Sequence, residues 1–253
     1  MFKSVLIIDN DIRYVDSLQQ KLQSKFDFTY EIVTDFEDIQ KITKVSEYDL
    51  YFIRLNLHTL PLIDKLDDDE KTIIVLTNKW DEDTRSKILA LGVTDYIITD
   101  NSAHGMTALN IVQRLINNEQ RNILLVDDSV VILNTLSILL DTQNLNYIKC
   151  KSAYEAWDYL NDEQSKKIDL IICDYEMPGM SGYDLTKRVR SKYLKEELPI
   201  LLLSGTQEES MIAKFLKAGV NDYIPKPFIN EEFINRLSNT LNTLEMYRAL
   251  KYQ

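Results

Sequence analysis

The sequence predicts two consecutive doubly wound α/β domains, each a parallel sheet with helices on both faces. Three observations carry this. Continuous apolar runs such as "DLIIC" (169–173) and "ILLL" (200–203) suit strands buried on both faces. These runs alternate with longer stretches of helical periodicity. The whole series also occurs twice in 253 residues, a length suited to two ordinary domains.

The elements are clearest in the second half. A first strand at 123–127 ends in acid and leads into a helix at 129–142, "SVVILNTLSILLDT". A strand at 146–150 precedes a helix at 153–163, and the apolar run at 168–174 precedes a helix at 182–194. "PILLLS" gives a strand at 199–204 before a helix at 208–218, and "NDYI" a strand at 221–224 before a last helix at 230–250. Five such units make an open sheet, in which ligands bind beyond the carboxyl ends of the strands.

The first half repeats the second. "SVLIIDNDI" (4–12) lies over "NILLVDDSV" (122–130), and "YDLYFIRLN" (48–56) over "IDLIICDYE" (168–176). "KTIIVLTNK" (71–79) lies over "PILLLSGTQ" (199–207), and "LGVTDYIIT" (91–99) over "AGVNDYIPK" (218–226). Asp127 follows Asp9 by 118 residues, Asp174 follows Arg54 by 120, Ser204 follows Thr77 by 127, and Lys226 follows Thr99 by 127. Four matches in one order mean a duplicated domain. The drift places a shortening of about seven residues, roughly two helical turns, between the third and fourth strands of the first copy. The expected domains are 1–119 and 120–253, joined near "INNEQRN" (116–122).

Composition narrows the function classes. A net charge of −11 leaves no electrostatic footprint for nucleic acid or an anionic membrane. Cys150 and Cys173 sit singly in apolar runs, so they read as reduced core thiols without zinc-site spacing. The amino-terminal "MFKSVLIIDND" reaches acid too early for a signal peptide or a membrane span. A cytoplasmic protein is expected.

In the second copy, polar residues gather at the strand ends. Strand one ends in Asp127-Asp128, strand three in Asp174 and strand four in Ser204, and strand five leads to Lys226-Pro227. Singly these have ordinary explanations: acids favour helix N-termini, a serine caps, a lysine is solvated. Together they are a phosphoryl-transfer constellation. Three close carboxylates call for a hard divalent cation, with Mg²⁺ suited to them. A lysine and a hydroxyl would serve anionic oxygens, and Asp174 would be the nucleophile.

These residues and their surroundings, "VDDS" (126–129), "DYEMPGMSG" (174–182), "LLSGT" (202–206) and "AGVNDYIPKPF" (218–228), resemble the receiver domain of two-component response regulators. The resemblance spans the whole second copy. It implies a flavodoxin- or CheY-like (βα)5 fold with strand order 2-1-3-4-5. It also implies that Asp174 is the phosphoacceptor, and that Asp127, Asp128, Asp174 and the backbone carbonyl of Glu176 hold Mg²⁺. Ser204 and Lys226 would bind the phosphoryl group, Lys226-Pro227 would be cis, and Tyr223 would be the aromatic switch. A flavodoxin-like FMN site is disfavoured because "VDDS" repels phosphate unless a metal is present. A haloacid-type phosphatase would use Glu176 as its acid, but the flanking motifs come in the wrong order for it.

The first copy lacks the chemistry. Asp9 and Asn10 stand at the acid pair, Arg54 at the nucleophile, Thr77 at the serine and Thr99 at the lysine. An Arg54–Asp9 ion pair is expected, with Asp11 as a further neighbour, and the charge of Arg54 would replace the cation and fix a degenerate receiver in one state. Tandem receivers of this kind resemble the input half of certain diguanylate cyclases, in which the degenerate domain is a dimerisation adaptor. That resemblance implies a histidine kinase or phosphotransfer protein as phosphoryl donor, a homodimer contact and a C-terminal output domain, with no catalysis in this chain itself. A phosphorylation-independent scaffold is the alternative. Phe233, Leu237, Leu241 and Leu244 mark the packed face of the last helix, and beyond Leu244 the sheet should be left behind.

Overall fold

The computed structural model describes residues 2–41, 47–99, 104–205 and 208–251; Thr206 of the "LLSGT" motif and the last two residues lie outside them. Two compact units are present, Met1–Glu119 with Thr142–Asn144, and Gln120–Asp141 with Leu145–Gln253.

In the first unit the strands are β1 (Ser4–Ile8), β2 (Thr29–Val33), β3 (Leu50–Arg54), β4 (Thr72–Thr77) and β5 (Asp95–Ile98). Between and after them come α1 (Ile12–Gln23), a 3-10 helix at Phe36–Lys41, α2 (Leu60–Asp68), α3 (Glu82–Ala90) and α4 (His104–Asn118). The second unit has β6 (Asn122–Val126), β7 (Asn146–Cys150), β8 (Leu170–Asp174), β9 (Ile200–Ser204) and β10 (Asp222–Pro225). Its helices are α5 (Val130–Asp141), α6 (Ala153–Asn161), α7 (Gly182–Arg190), α8 (Glu209–Lys217) and α9 (Asn230–Lys251).

Both sheets are parallel throughout, with orders β2-β1-β3-β4-β5 and β10-β9-β8-β6-β7. Read from one edge, each is the expected 2-1-3-4-5. The apolar runs explain which strands are central. Leu50–Ile53, Leu170–Cys173 and Ile200–Leu203 are buried along their length, with a core on each sheet face. The edge strands β2 and β7 carry Glu31 and Lys149 and are half exposed, which blunts edge-to-edge pairing.

The duplication extends to polar details that fix the strands. Asp49 accepts from Ser4 N–H at 3.0 Å, and Asp169 from Asn122 N–H at 2.8 Å, tying the start of each central strand to its neighbour. Ile73 N–H donates to Thr94 Oγ1 as Ile200 N–H donates to Asn221 Oδ1. The last helix of each unit grips its fifth strand by an ion pair, Arg114–Asp95 at 2.5 Å and Arg236–Asp222 at 2.8 Å.

One expectation is sharpened and one corrected. The shortening in the first unit lies between β3 and β4 as expected, and outside the helix, since α2 and α7 each have 9 residues. It lies in the connections, 55–59 against 175–181 and 69–71 against 191–199. The missing residues are therefore in the loop after the end of the third strand and in the return to the fourth. The last turns of α9 also stay on their own domain. Phe233, Leu237, Leu241 and Leu244 are buried as expected, and Arg121–Glu245, Arg248–Asp169 and Lys251–Glu197 then hold the helix beyond Leu244.

Candidate phosphoacceptor site

Parallel pairing brings every carboxyl strand end of the second unit to one rim. Asp174 closes β8, Ser204 closes β9, and Asp127 follows β6 directly. Lys226 follows β10, its N–H bound to the Ser204 carbonyl at 2.8 Å, and the Lys226-Pro227 peptide is cis. Asp127, Asp174 and Ser204 are buried, while Asp128 is exposed. The Lys226 ammonium bridges the two buried acids, 3.0 Å from Asp127 Oδ2 and 3.0 Å from Asp174 Oδ1. Asp127 Oδ1 meanwhile accepts from Ser129 N–H at 2.8 Å.

The surroundings set the charge states. Burial raises the Asp174 carboxyl above its ordinary range, against the opposing pull of Lys226 and a backbone hydrogen bond from Glu176. Burial lowers the Lys226 ammonium, but its hydrogen bonds to Asp174 and Asp127 outweigh that and raise it overall. Asp127, Asp128 and Asp174 place one carboxylate oxygen each within 4.8 Å of the others. Three carboxylates against one ammonium leave an excess of two negative charges, and the donors are all oxygens. The residues fit a hard divalent cation such as Mg²⁺.

Glycine makes room for this rim. A Cβ on Gly182 would lie 2.1 Å from the Asp174 carbonyl oxygen, so only glycine lets α7 start this close to β8. Ser181 caps the helix through Asp184 N–H. Met177 and Met180, within the loop between β8 and α7, are buried. Tyr223 is half-buried on β10, with the Arg236 guanidinium 5.9 Å from its ring centre.

The corresponding rim of the first unit is closed by its own side chains. Arg54 ends β3 and directs Nε (3.1 Å) and Nη2 (2.6 Å) at Asp9 Oδ2. Its Nη1 donates to Thr99 Oγ1 at 2.6 Å, and that hydroxyl donates to the Thr77 carbonyl at 3.1 Å. The Tyr14 ring covers the guanidinium at 5.5 Å. Asp9 is the partner; Asp11 instead caps α1 through Tyr14 N–H. Asn10 is exposed, and the Thr77 hydroxyl donates to the Lys79 carbonyl at 3.0 Å. Sequence reasoning missed Tyr14 as the cover and Thr99 as an acceptor. The available signal for the first was Tyr14 standing where the second copy has Ile132.

A profile of the response regulator receiver domain matches residues 123–238. A chemotaxis protein CheY homologue of Campylobacter jejuni is 34% identical over 125 residues, 48% of this chain and 92% of the relative. The chain belongs to the response regulator receiver family. CheY1 of Helicobacter pylori is 36% identical over 48% of this chain and 97% of its own length. A solved two-component system response regulator/GGDEF domain protein is similar across both units. It has a TM-score of 0.77 and 28% identity, covering 96% of this chain and 99% of that one. The chain thus holds tandem receivers, and no helix among the described residues is long and apolar enough to cross a membrane.

Proposed function

We propose that the second receiver accepts a phosphoryl group on Asp174 and transmits it as a conformational or dimerisation change, with the first receiver as adaptor. The observation that carries this is the contact of Asp174 with Lys226 inside a cluster of three carboxylates. A histidine kinase or phosphotransfer protein is the donor. An Asp174 carboxylate oxygen attacks the phosphorus of its phosphohistidine, forming the O–P bond as the P–N bond breaks and the imidazole leaves. Asp127, Asp128, Asp174 and the Glu176 carbonyl would hold Mg²⁺, which when bound neutralises charge on the phosphoryl oxygens. Lys226, held by Asp127, supplies a point charge beside the acceptor, and Ser204 offers its hydroxyl to a phosphoryl oxygen. Movement of Ser204 draws the Tyr223 ring inward and changes the β10–α9 surface.

The similar solved protein, described as a response regulator/GGDEF domain protein, supports an output such as a diguanylate cyclase acting with this chain in the cytoplasm. The test treats wild type and Asp174→Ala with acetyl phosphate or beryllofluoride and Mg²⁺. Wild type should gain one modification per chain and change oligomeric state, and the variant should do neither. Identical behaviour in mass and association would leave only the scaffold reading.

A further inference from the structure

The second receiver carries a basic groove that its phosphoacceptor rim does not use. The outer faces of α7 and α8 form an open surface groove of about 680 Å³, bordered by Lys187, Arg190, Lys214 and Lys217. None of these four forms an ion pair among the described residues. With 40 acidic residues against 29 basic ones, a cluster of cations lacking carboxylates is the exception in this chain. Asp184 and Glu196 feel Lys187 and Arg190 only from beyond ion-pair distance.

The groove is organised. Arg190 commits its fork to the Gly219 and Leu198 carbonyls and to Asn221 Oδ1, at 2.8, 2.9 and 3.1 Å. Burial pushes its pKa down to about 10, with Glu196 pulling the other way from beyond ion-pair distance. Gly219, at φ 97°, permits this approach, because a Cβ there would lie 2.9 Å from Arg190. Lys187 from α7 and Lys214 from α8 both settle on the Tyr183 ring, 4.4 and 4.6 Å from its centre. The ring favours each ammonium singly, yet two like charges are gathered at one place.

We propose that this groove binds a small anion bearing two or more phosphate groups, with Lys187, Lys214 and Lys217 as direct ligands. An acidic peptide is the poorer fit. Lysine ammoniums are point-charge partners of phosphate, and the one guanidinium fork here, that of Arg190, is already engaged. Ammonium point charges around a concavity of this size suit phosphates of small-molecule dimensions, and the exposed Ser210 hydroxyl adds a donor. The phosphates could belong to a nucleotide or to an inorganic oligophosphate.

Isothermal titration calorimetry of the whole chain in EDTA tests this, with tripolyphosphate, ADP and octaglutamate as probes. One saturable site per chain is expected for tripolyphosphate, ADP or both. ADP binding at least as tight identifies a nucleotide, and tripolyphosphate alone an inorganic source. The Lys187→Gln/Lys214→Gln variant should weaken binding by about tenfold or more, roughly the 1.4 kcal/mol equivalent. The same variant should still label at Asp174, which shows that it is folded, and Asp174→Asn should bind the probes as wild type does. Absence of saturable binding, an unchanged Kd in the double variant, or octaglutamate binding as tightly as the phosphates would each overturn the assignment.

Discussion

In both receivers a buried aspartate follows the first strand directly, and one of its carboxylate oxygens accepts a backbone N–H two residues on. They part company at the other oxygen. Asp9 Oδ2 receives the guanidinium of Arg54 from the end of the central strand β3, the position that Asp174 holds in the other unit. Asp127 Oδ2 receives the Lys226 ammonium from beyond β10, leaving the central strand end to a second carboxylate. A buried aspartate needs a cation in either case, since an unpaired charge there costs several kcal/mol. Where the cation comes from decides whether the rim keeps a carboxylate at its central strand end. In the first receiver the stabilising charge stands in its place.

The largest expected effect removes that charge. Arg54→Ala leaves Asp9 buried with no guanidinium and Thr99 without its donor, and should destabilise the first receiver by about 3 kcal/mol. The two tryptophans, Trp80 and Trp157, fall one in each unit. Single-tryptophan variants in urea therefore report the two unfolding transitions separately. A Trp80 transition unmoved by Arg54→Ala would mean that the ion pair is not what holds this rim.

Magnesium should sharpen the contrast. At ten times its Kd, a ligand of the folded state alone adds about 1.4 kcal/mol. Only the Trp157 transition should shift, because Arg54 already supplies the cation to Asp9. Equal shifts in both transitions would assign the first receiver a metal site that its residues do not suggest.

Most of this arrangement was legible in the chain. The apolar strands, their order and the convergence of Asp127, Asp174, Ser204 and Lys226 follow from pattern and resemblance, because a parallel sheet puts all carboxyl strand ends on one side. The Arg54–Asp9 pair was legible for the same reason: two strand-end residues on neighbouring strands must meet. What escaped depended on side-chain reach across elements. Tyr14 covers Arg54 from α1, and Thr99 relays the guanidinium to a backbone carbonyl. The shortened stretch was legible only as lying between the third and fourth strands, because an offset counts residues without saying which element lost them.

Thr99→Val probes that relay. Arg54 Nη1 loses an acceptor and the Thr77 carbonyl a donor, while the pair with Asp9 remains. The Trp80 transition should fall by about 1 kcal/mol, the usual net worth of a hydrogen bond. A loss as large as that of Arg54→Ala would instead make Thr99 as central to the rim as the ion pair.

The smallest effect runs in the opposite sense and belongs to the second receiver. Burial raises the folded-state pKa of Asp174. Between the ordinary carboxylate pKa and this raised value, the folded protein binds more protons than the unfolded one. Stability must therefore fall as pH rises through that window and stay lower above it. Asp174→Asn removes the titration, so the metal-free Trp157 transition should lose this slope and rise at neutral pH by less than about 1 kcal/mol, since Lys226 offsets part of the burial. The substitution should also abolish most of the gain from Mg²⁺. Denaturation series across the acid range, with and without Mg²⁺, check both. A wild-type domain that gains stability as pH rises through the same window would show Lys226 outweighing burial at Asp174. The acceptor would then be a stabilising ion pair like Arg54–Asp9, not a strained carboxylate awaiting a cation.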